Sequence, residues 1–263
     1  MDKITPAIKS EFQNKDLFEK IKSGIFNDNN NYLLKKRSWY KYSKKRHILI
    51  KGKYINKTAY VLTCGPSLSK VWDNNLKRFL ADKLVIAVKQ AQILCPEICD
   101  FHLYNEVRMQ AYDYSEDTIR ISCSKFQEKY PSHIHYPVNN YKYDESMFVT
   151  NDYERWDLEN TYVRPWGVGI MFEIGLFLPI YLGCDRIVII GFDMNRKGSY
   201  HFYDASNDAD SQFYKVDDAE FGYAKRSISY YLFWAQSKKV KVGNYSPLSE
   251  LPIPKIKNIH SWA

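Results

Sequence analysis

"TAYVLTCGPSLSKVWDNNL", Thr58 to Leu76, is the stretch whose reading decides the fold. Ala59 to Thr63 reads as a buried strand. It breaks into Cys64-Gly65-Pro66-Ser67, and a helix start follows at once. Ser67 is able to cap a helix reaching about Leu80. Gly65 permits backbone geometries closed to other residues and lets a ligand approach the main chain. The amides after it open a helix N-terminus, which attracts an anion. This corner lacks the three-glycine dinucleotide fingerprint and the P-loop lysine. Taken alone it suggests a phosphate-bearing ligand without specifying one.

Working outward, the same alternation continues. "HILI" (His47 to Ile50) reads as an extended segment before Lys51-Gly52-Lys53. "KLVIAV" (Lys83 to Val88), "CDFHLYN" (Cys99 to Asn105), "TIRISC" (Thr118 to Cys123), "DRIVIIGFDM" (Asp185 to Met194) and "KKVKVGN" (Lys238 to Asn244) read as further strands. "GVGIMFEIGLFLPIYLGC" (Gly167 to Cys184) and Ala219 to Gln236 read as helices, and Ile4 to Ile25 has helical spacing in pieces. Residues 126–164 are polar, aromatic and irregular, like a long excursion or lid. The strands are continuous apolar runs rather than alternating ones. That pattern predicts an α/β domain with a Rossmann-like, mostly parallel sheet and helices on both faces. The domain is expected over residues 58–263, after a basic N-terminal segment over 1–57.

Composition fits this reading: 263 residues, 45% hydrophobic and 16% aromatic, with 22 Tyr that combine stacking with hydrogen bonding. Residues 1–31 are mixed and polar and show no signal peptide pattern. The longest apolar run, Gly167 to Gly183, contains Glu173 and Pro179 and falls short of the roughly 20 apolar residues of a membrane span. The five cysteines (Cys64, Cys95, Cys99, Cys123, Cys184) form no disulfide-scaffold or zinc spacing, which suits reduced thiols and a cytoplasmic location. The net charge of +8 is unevenly placed. Residues 1–57 carry 15 Lys and Arg against 5 Asp and Glu, a net of +10, which leaves the remainder at −2. Such a segment could face nucleic acid, an anionic membrane or an acidic glycan, or form a solvated basic face.

In open α/β sheets, ligands bind beyond the carboxyl ends of the strands. Those ends carry Gly65, Pro66 and Ser67 after the first strand and Lys89 and Gln90 after the second. Asn105, Glu106 and Arg108 follow the third. Trp166-Gly167-Val168-Gly169 opens the apolar helix; glycines are poor helix starters but suit a ligand lying against main chain and indole. Asp193 ends "IVIIGFD", well placed for a metal, a hydroxyl or a backbone amide. His201 stands in a polar loop near the same edge. A histidine near neutral pKa suits proton abstraction from an attacking hydroxyl. Asp217, Asp218 and Glu220, just before the last helix, are alternative bases. Each of these residues has an ordinary structural explanation alone; together they converge on one sheet edge.

Together these pieces resemble glycosyltransferase family 42, the bacterial sialyltransferases that use CMP-sialic acid. The likeness rests on Thr63-Cys64-Gly65-Pro66-Ser67-Leu68, without the family's first glycine, and on Tyr104-Asn105. Trp166-Gly167-Val168, Gly191-Phe192-Asp193, a tail echo at Tyr245-Ser246-Pro247-Leu248 and a loose match at Lys89-Gln90 complete it. It covers roughly residues 58 to 250. It implies a single GT-A-like nucleotide-binding domain, a CMP-sugar donor and no required cofactor. The family's catalytic His lies shortly before the last helix, where this chain has Phe221-Gly222-Tyr223. The base is then His201 or one of Asp217, Asp218 and Glu220, or the donor differs. The same features also resemble the archaeal-type hydroxymethylpterin pyrophosphokinases, which implies pyrophosphate transfer with Asp-bound Mg²⁺.

The leading expectation is a glycosyltransferase that moves a sugar from a nucleotide-sugar donor to a hydroxyl. Its acceptor is expected to be anionic: a surface glycan, a glycolipid reached by peripheral membrane contact, or modified DNA as in a phage-type DNA-modifying enzyme. The donor site is expected along Gly65, Pro66, Ser67, Lys89, Gln90, Asn105, Trp166 and Gly167. Catalytic work falls to His201, Asp193 and Asp218, with no metal site. The alternatives are the pterin-type pyrophosphokinase and a non-catalytic nucleic-acid-binding protein on a nucleotide-binding fold.

Overall fold

The computed structural model describes residues 50–104, 115, 117–123, 132–136, 138–139, 153–158, 161–162, 169–194, 201–202 and 218–262. Seven strands form one parallel sheet: β1 (Thr58–Leu62), β2 (Leu84–Val88), β3 (Phe101–Tyr104), β4 (Ile119–Cys123), β5 (Ile134–Tyr136), β8 (Arg186–Ile190) and β9 (Lys241–Asn244). A separate two-stranded pair joins β6 (Val138–Asn139) to β7 (Thr161–Tyr162). The order across the main sheet is β5-β4-β3-β2-β1-β8-β9. The chain therefore winds one way from β1 to β5 and the other way through β8 and β9. The arrangement is Rossmann-like, and its switch point lies between β1 and β8.

Every residue of β1 and β2 is buried, which explains their unbroken apolar runs. One face presents Ala59, Val61, Ile86, Phe101, Ile121, Ile187 and Ile189 to a core shared with Met171–Leu182 and the long helix near the C-terminus. The other presents Tyr60, Leu62, Val85, Ala87, Val188 and Ile190 to Leu68, Leu76 and Leu80. Ile50 and Tyr54 belong to the first of these cores, so residues just before β1 already pack against the sheet.

Several local expectations need correction. Ile50 is helical and residues 51–56 are turns, so "HILI" is not extended at its described residue. The helix expected from Ser67 to about Leu80 is two: α1 (Ser67–Val71) and α2 (Asn74–Leu80). Trp72 is extended, and the Asp73 carboxylate accepts a hydrogen bond from Leu76 N at 2.7 Å, capping α2 and ending α1's run. Pro66, not Ser67, sits at the N-cap of α1. The stretch read as a lid contains β5, the edge strand of the main sheet, together with β6 and β7. Three-residue strands leave almost no periodic signal.

The apolar run after Gly169 is a helix of mixed geometry. Met171–Gly175 is a π-helical turn, followed by α3 (Leu178–Tyr181) with Pro179 in its first turn. Leu176 N reaches back to Met171 O at 2.9 Å. Proline has no N–H to continue an α ladder, so nearby carbonyls need other donors. Trp156 Nε1 donates to Glu173 O at 2.7 Å, and Tyr231 OH donates to Leu176 O at 2.6 Å. Tyr231 belongs to α4 (Asp218–Ser237), whose buried Phe221, Ala224, Ile228, Tyr231 and Ala235 recur every three or four residues. Lys239, at φ +62°, turns the chain out of α4 and toward β9. The outer edge of β9 is covered: Asn244 N donates to Pro254 O at 2.8 Å, and Ile256 N donates to Asn244 O at 3.0 Å.

Candidate functional site

The corner quoted at the outset lies at the switch point and is stitched to the end of β8. Thr63 N donates to Ile190 O at 2.8 Å, and Gly65 N donates to Gly191 O at 2.7 Å. Gly65 is required for space: a Cβ there would lie against Gly191 O and 2.6 Å from Asp193 Oδ2. Gly191 is required for conformation as well, since its φ is +83°. The two glycines let the ends of β1 and β8 stay bonded side by side beyond the sheet.

Asp193 is 2% exposed. Its Oδ2 accepts a hydrogen bond from Ser67 N at 2.6 Å. Of the partners expected for it, a backbone amide and a hydroxyl are both supplied by Ser67. Its Oδ1 has no hydrogen-bond partner among the described residues. Burial pushes its pKa up, while the Ser67 hydroxyl and amide and the nearby Lys255 ammonium pull it down. Ser67 Oγ in turn accepts from Leu248 N at 2.8 Å. Gly191 N donates to Ser246 Oγ at 2.7 Å. Lys255 Nζ donates to Ser246 O at 2.8 Å and to Ser249 O at 2.7 Å, and burial lowers its pKa. The segment after β9 thus forms a third layer around the corner. Sequence reasoning noted Ser246 only as a tail echo and did not find Lys255. Proline-flanked residues in an irregular tail carry no periodicity that would have marked them.

These bonds change the meaning of the corner. Gly65 N, Ser67 N and Leu68 N all have internal acceptors, namely Gly191 O, Asp193 Oδ2 and Gly65 O. The chain's own carboxylate stands where an external anion was expected, and α1 is only five residues long.

Cys64 links the corner to its neighbours. Its Sγ donates to Val88 O at 3.2 Å and lies 3.7 Å from Gln90 Oε1. Its carbonyl accepts from Phe202 N at 2.8 Å, which brings His201 to the tip of β1. Lys89, between Val88 and Gln90, has φ +49°, and Met194, just beyond Asp193, has φ +47°. Non-glycine residues seldom adopt this conformation. Two such residues, beyond the tips of the two strands that flank β1, mark an edge whose main chain is tightly determined. Lys89 O accepts from His102 Nε2 at 2.9 Å, which fixes the Nε2–H tautomer of this buried imidazole.

His102 belongs to a buried polar stripe on β3, β4 and β5. Ser122 Oγ is 2.8 Å from Ser132 Oγ and 3.0 Å from His135 Nδ1. Tyr104 hydrogen-bonds Ser122 and Ser132. Burial pushes the His102 pKa down to about 3 and that of Tyr104 up to about 12.

The structure therefore brings Gly65, Pro66, Ser67, Asp193, Lys89, Gln90 and His201 to one edge through direct or one-residue links. Asp218 is the first residue of α4, which runs back to the start of β9, so topology sets it at the same edge. Asn105, Trp166 and Gly167 lie outside the described residues, as do Glu106, Arg108 and Asp217. Among the described residues no group of three or more His, Cys, Asp or Glu side chains is arranged to hold a metal ion, and no helix is long and apolar enough to cross a membrane. No protein-family model matches the chain, and no curated protein matches it significantly.

Proposed function

We propose that the chain is a nucleotide-dependent group-transfer enzyme of the glycosyltransferase type, with a CMP-sugar as the favoured donor. The observation that carries this reading is the convergence on Cys64. Its thiol meets the end of β2 and its carbonyl meets Phe202, one residue after it β1 is bonded to the end of β8, and all of this lies at the switch point. Crevices of this kind are where doubly wound sheets take nucleotides.

In this proposal the nucleotide lies over Cys64 and Gln90, with Asn105, Trp166 and Gly167 contributing from the neighbouring strand and helix starts. The corner itself is the floor: Asp193 and Ser67 hold it rigid, and the donor phosphate is held by side chains such as Lys89 rather than by the corner amides. His201 acts as the base that takes the proton of an acceptor hydroxyl as it attacks the anomeric carbon, with Asp218 as the alternative. Positive charge at the strand tips stabilises the leaving nucleotide.

Thermal unfolding with CMP, UDP, GDP, ADP and ATP, each with and without Mg²⁺, tests the reading, because a ligand that binds only the folded state raises Tm. A shift with CMP that does not need Mg²⁺ is expected. A shift with ATP that needs Mg²⁺ would favour the pyrophosphokinase instead, and no shift with any nucleotide would remove both. His201→Ala and Asp218→Ala then assign the base: one of the two should lower turnover at saturating donor.

A further inference from the structure

In a parallel sheet the residues that precede the strands share one edge, opposite the crevice. On the β1, β8 and β9 side that edge is basic. Lys51, Lys53 and Lys57 lead into β1, Arg186 opens β8, and Lys238, Lys239 and Lys241 lead into β9. Their backbones are joined: Asp185 N donates to Lys57 O at 3.3 Å, and Lys241 N donates to Asp185 O at 2.8 Å. Asp185 lies against Arg186 at 3.5 Å and Glu154 against Lys238 at 2.6 Å.

The same end carries exposed apolar side chains. Ile55, three residues before β1, is 64% exposed. Phe233, one turn before the end of α4, is 77% exposed, and Arg226 and Tyr230 share its outward side at helical spacing. Ile55 stands between Lys53 and Lys57 in the chain, and Phe233 comes shortly before Lys238 and Lys239. Exposed large apolar groups beside cations fit the interfacial zone of a bilayer with anionic headgroups. An aliphatic residue such as Ile55 has no π-face on which a base could stack, which favours lipid over single-stranded nucleic acid.

Charge also limits what else covers this face. Residues 1–49 carry 12 Lys and Arg against 5 Asp and Glu, a net of +7, and join the described chain at Ile50, beside this edge. They are poorly matched to a basic surface, whereas an anionic lipid surface attracts both.

We propose that the N-terminal edge of the sheet, with Ile55, Phe233 and the surrounding lysines, docks on an anionic lipid surface and leaves the crevice facing away from it. The proposal is independent of the nucleotide reading.

Co-sedimentation of the full chain with phosphatidylcholine vesicles, with and without phosphatidylglycerol, tests it. Binding is expected only to the anionic vesicles and should weaken with added salt. The double variant Ile55→Ser, Phe233→Ser should lower vesicle affinity by about tenfold. Ile93→Ser, which changes an exposed apolar residue just beyond the tip of β2 at the opposite end, should leave it unchanged. The Tm of both variants should match the wild type. Equal vesicle binding by the double variant and the wild type would overturn the proposal. So would a fall in Tm, which would mean that the chain itself covers these side chains. A duplex DNA oligonucleotide whose binding falls by the same factor in the double variant would transfer the surface to nucleic acid.

Discussion

Asp193 Oδ2 and Ser67 N are 2.6 Å apart, across 126 residues of chain. This bond closes the corner between β1 and α1 with the protein's own carboxylate. It gives the Gly-Pro-Ser turn a structural purpose that precedes any ligand.

Removing the carboxylate leaves a buried N–H without an acceptor. Asp193→Ala is expected to cost about 1–3 kcal/mol of stability, read as a lower urea midpoint. The charge itself acts the other way. The folded-state pKa of Asp193 lies above the ordinary 3.8 because burial disfavours the charged form. Between those two values the folded state holds more proton than the unfolded one, so this group's contribution to stability falls as pH rises through the window. Asp193→Asn keeps an acceptor oxygen and removes the buried charge. Its urea midpoint relative to wild type should therefore be higher at pH 7 than at pH 3.

Gly65→Ala asks for space that does not exist. The added methyl would meet the Gly191 carbonyl and the Asp193 carboxylate. Backbone cannot yield as a flexible side chain does, so the loss should reach at least about 3 kcal/mol or abolish folding. Gly222→Ala, on α4, meets nothing within 4 Å. It should stabilise by up to about 1 kcal/mol through helix propensity. Chemical denaturation of the pair separates crowding from a general intolerance of substitution.

The buried His102 gives a second pH signature, of opposite sign. Its pKa falls from 6.5 to about 3, chiefly through burial. Above pH 6.5 both states are neutral and its contribution is fully present. Below that the unfolded state takes up a proton first, and stability is lost between pH 6.5 and about 3 at up to about 1.4 kcal/mol per pH unit. His102→Gln retains an N–H for the Lys89 carbonyl and should flatten that slope in urea denaturation followed across pH.

Cysteine labelling tests the proposed nucleotide site at the switch point directly. Cys64 is partly exposed, whereas Cys95, Cys99 and Cys184 are buried. Burial also raises the Cys184 pKa to about 12 and that of Cys99 well above its ordinary value. Thiolates are the reactive form. Iodoacetamide followed by peptide mass spectrometry should modify Cys64 first among these four, and a bound nucleotide should slow it. Unchanged Cys64 labelling with a nucleotide that raises Tm would place the ligand elsewhere.

Tyr231→Phe deletes the donor that satisfies Leu176 O beside the π-helical turn. A buried carbonyl without a partner should cost about 1–3 kcal/mol, measured by thermal or urea unfolding. If the turn instead relaxes to an α ladder, the loss will be smaller.

Much of the architecture is legible locally. Unbroken apolar runs at "AYVLT", "KLVIAV" and "DRIVIIGF" identify strands buried on both faces, and their alternation with helical segments requires parallel pairing and crossovers. Sequence also set Gly65, Lys89, Gln90 and Asp193 at strand ends, because the end of an apolar run is itself a local feature, and His201 in a polar loop near the same edge. It did not show the break at Trp72-Asp73, where a side-chain cap outcompetes helix continuation, nor β5, which is too short to show a period. Above all it could not show what meets what. Leu248 reaches Ser67 across 181 residues and Asp193 across 126, and those distances close only because β8 lies beside β1 in the sheet. Local propensity fixes each strand and turn. Strand order follows from the packing of the whole chain, and that order made the anion at this corner Asp193 itself.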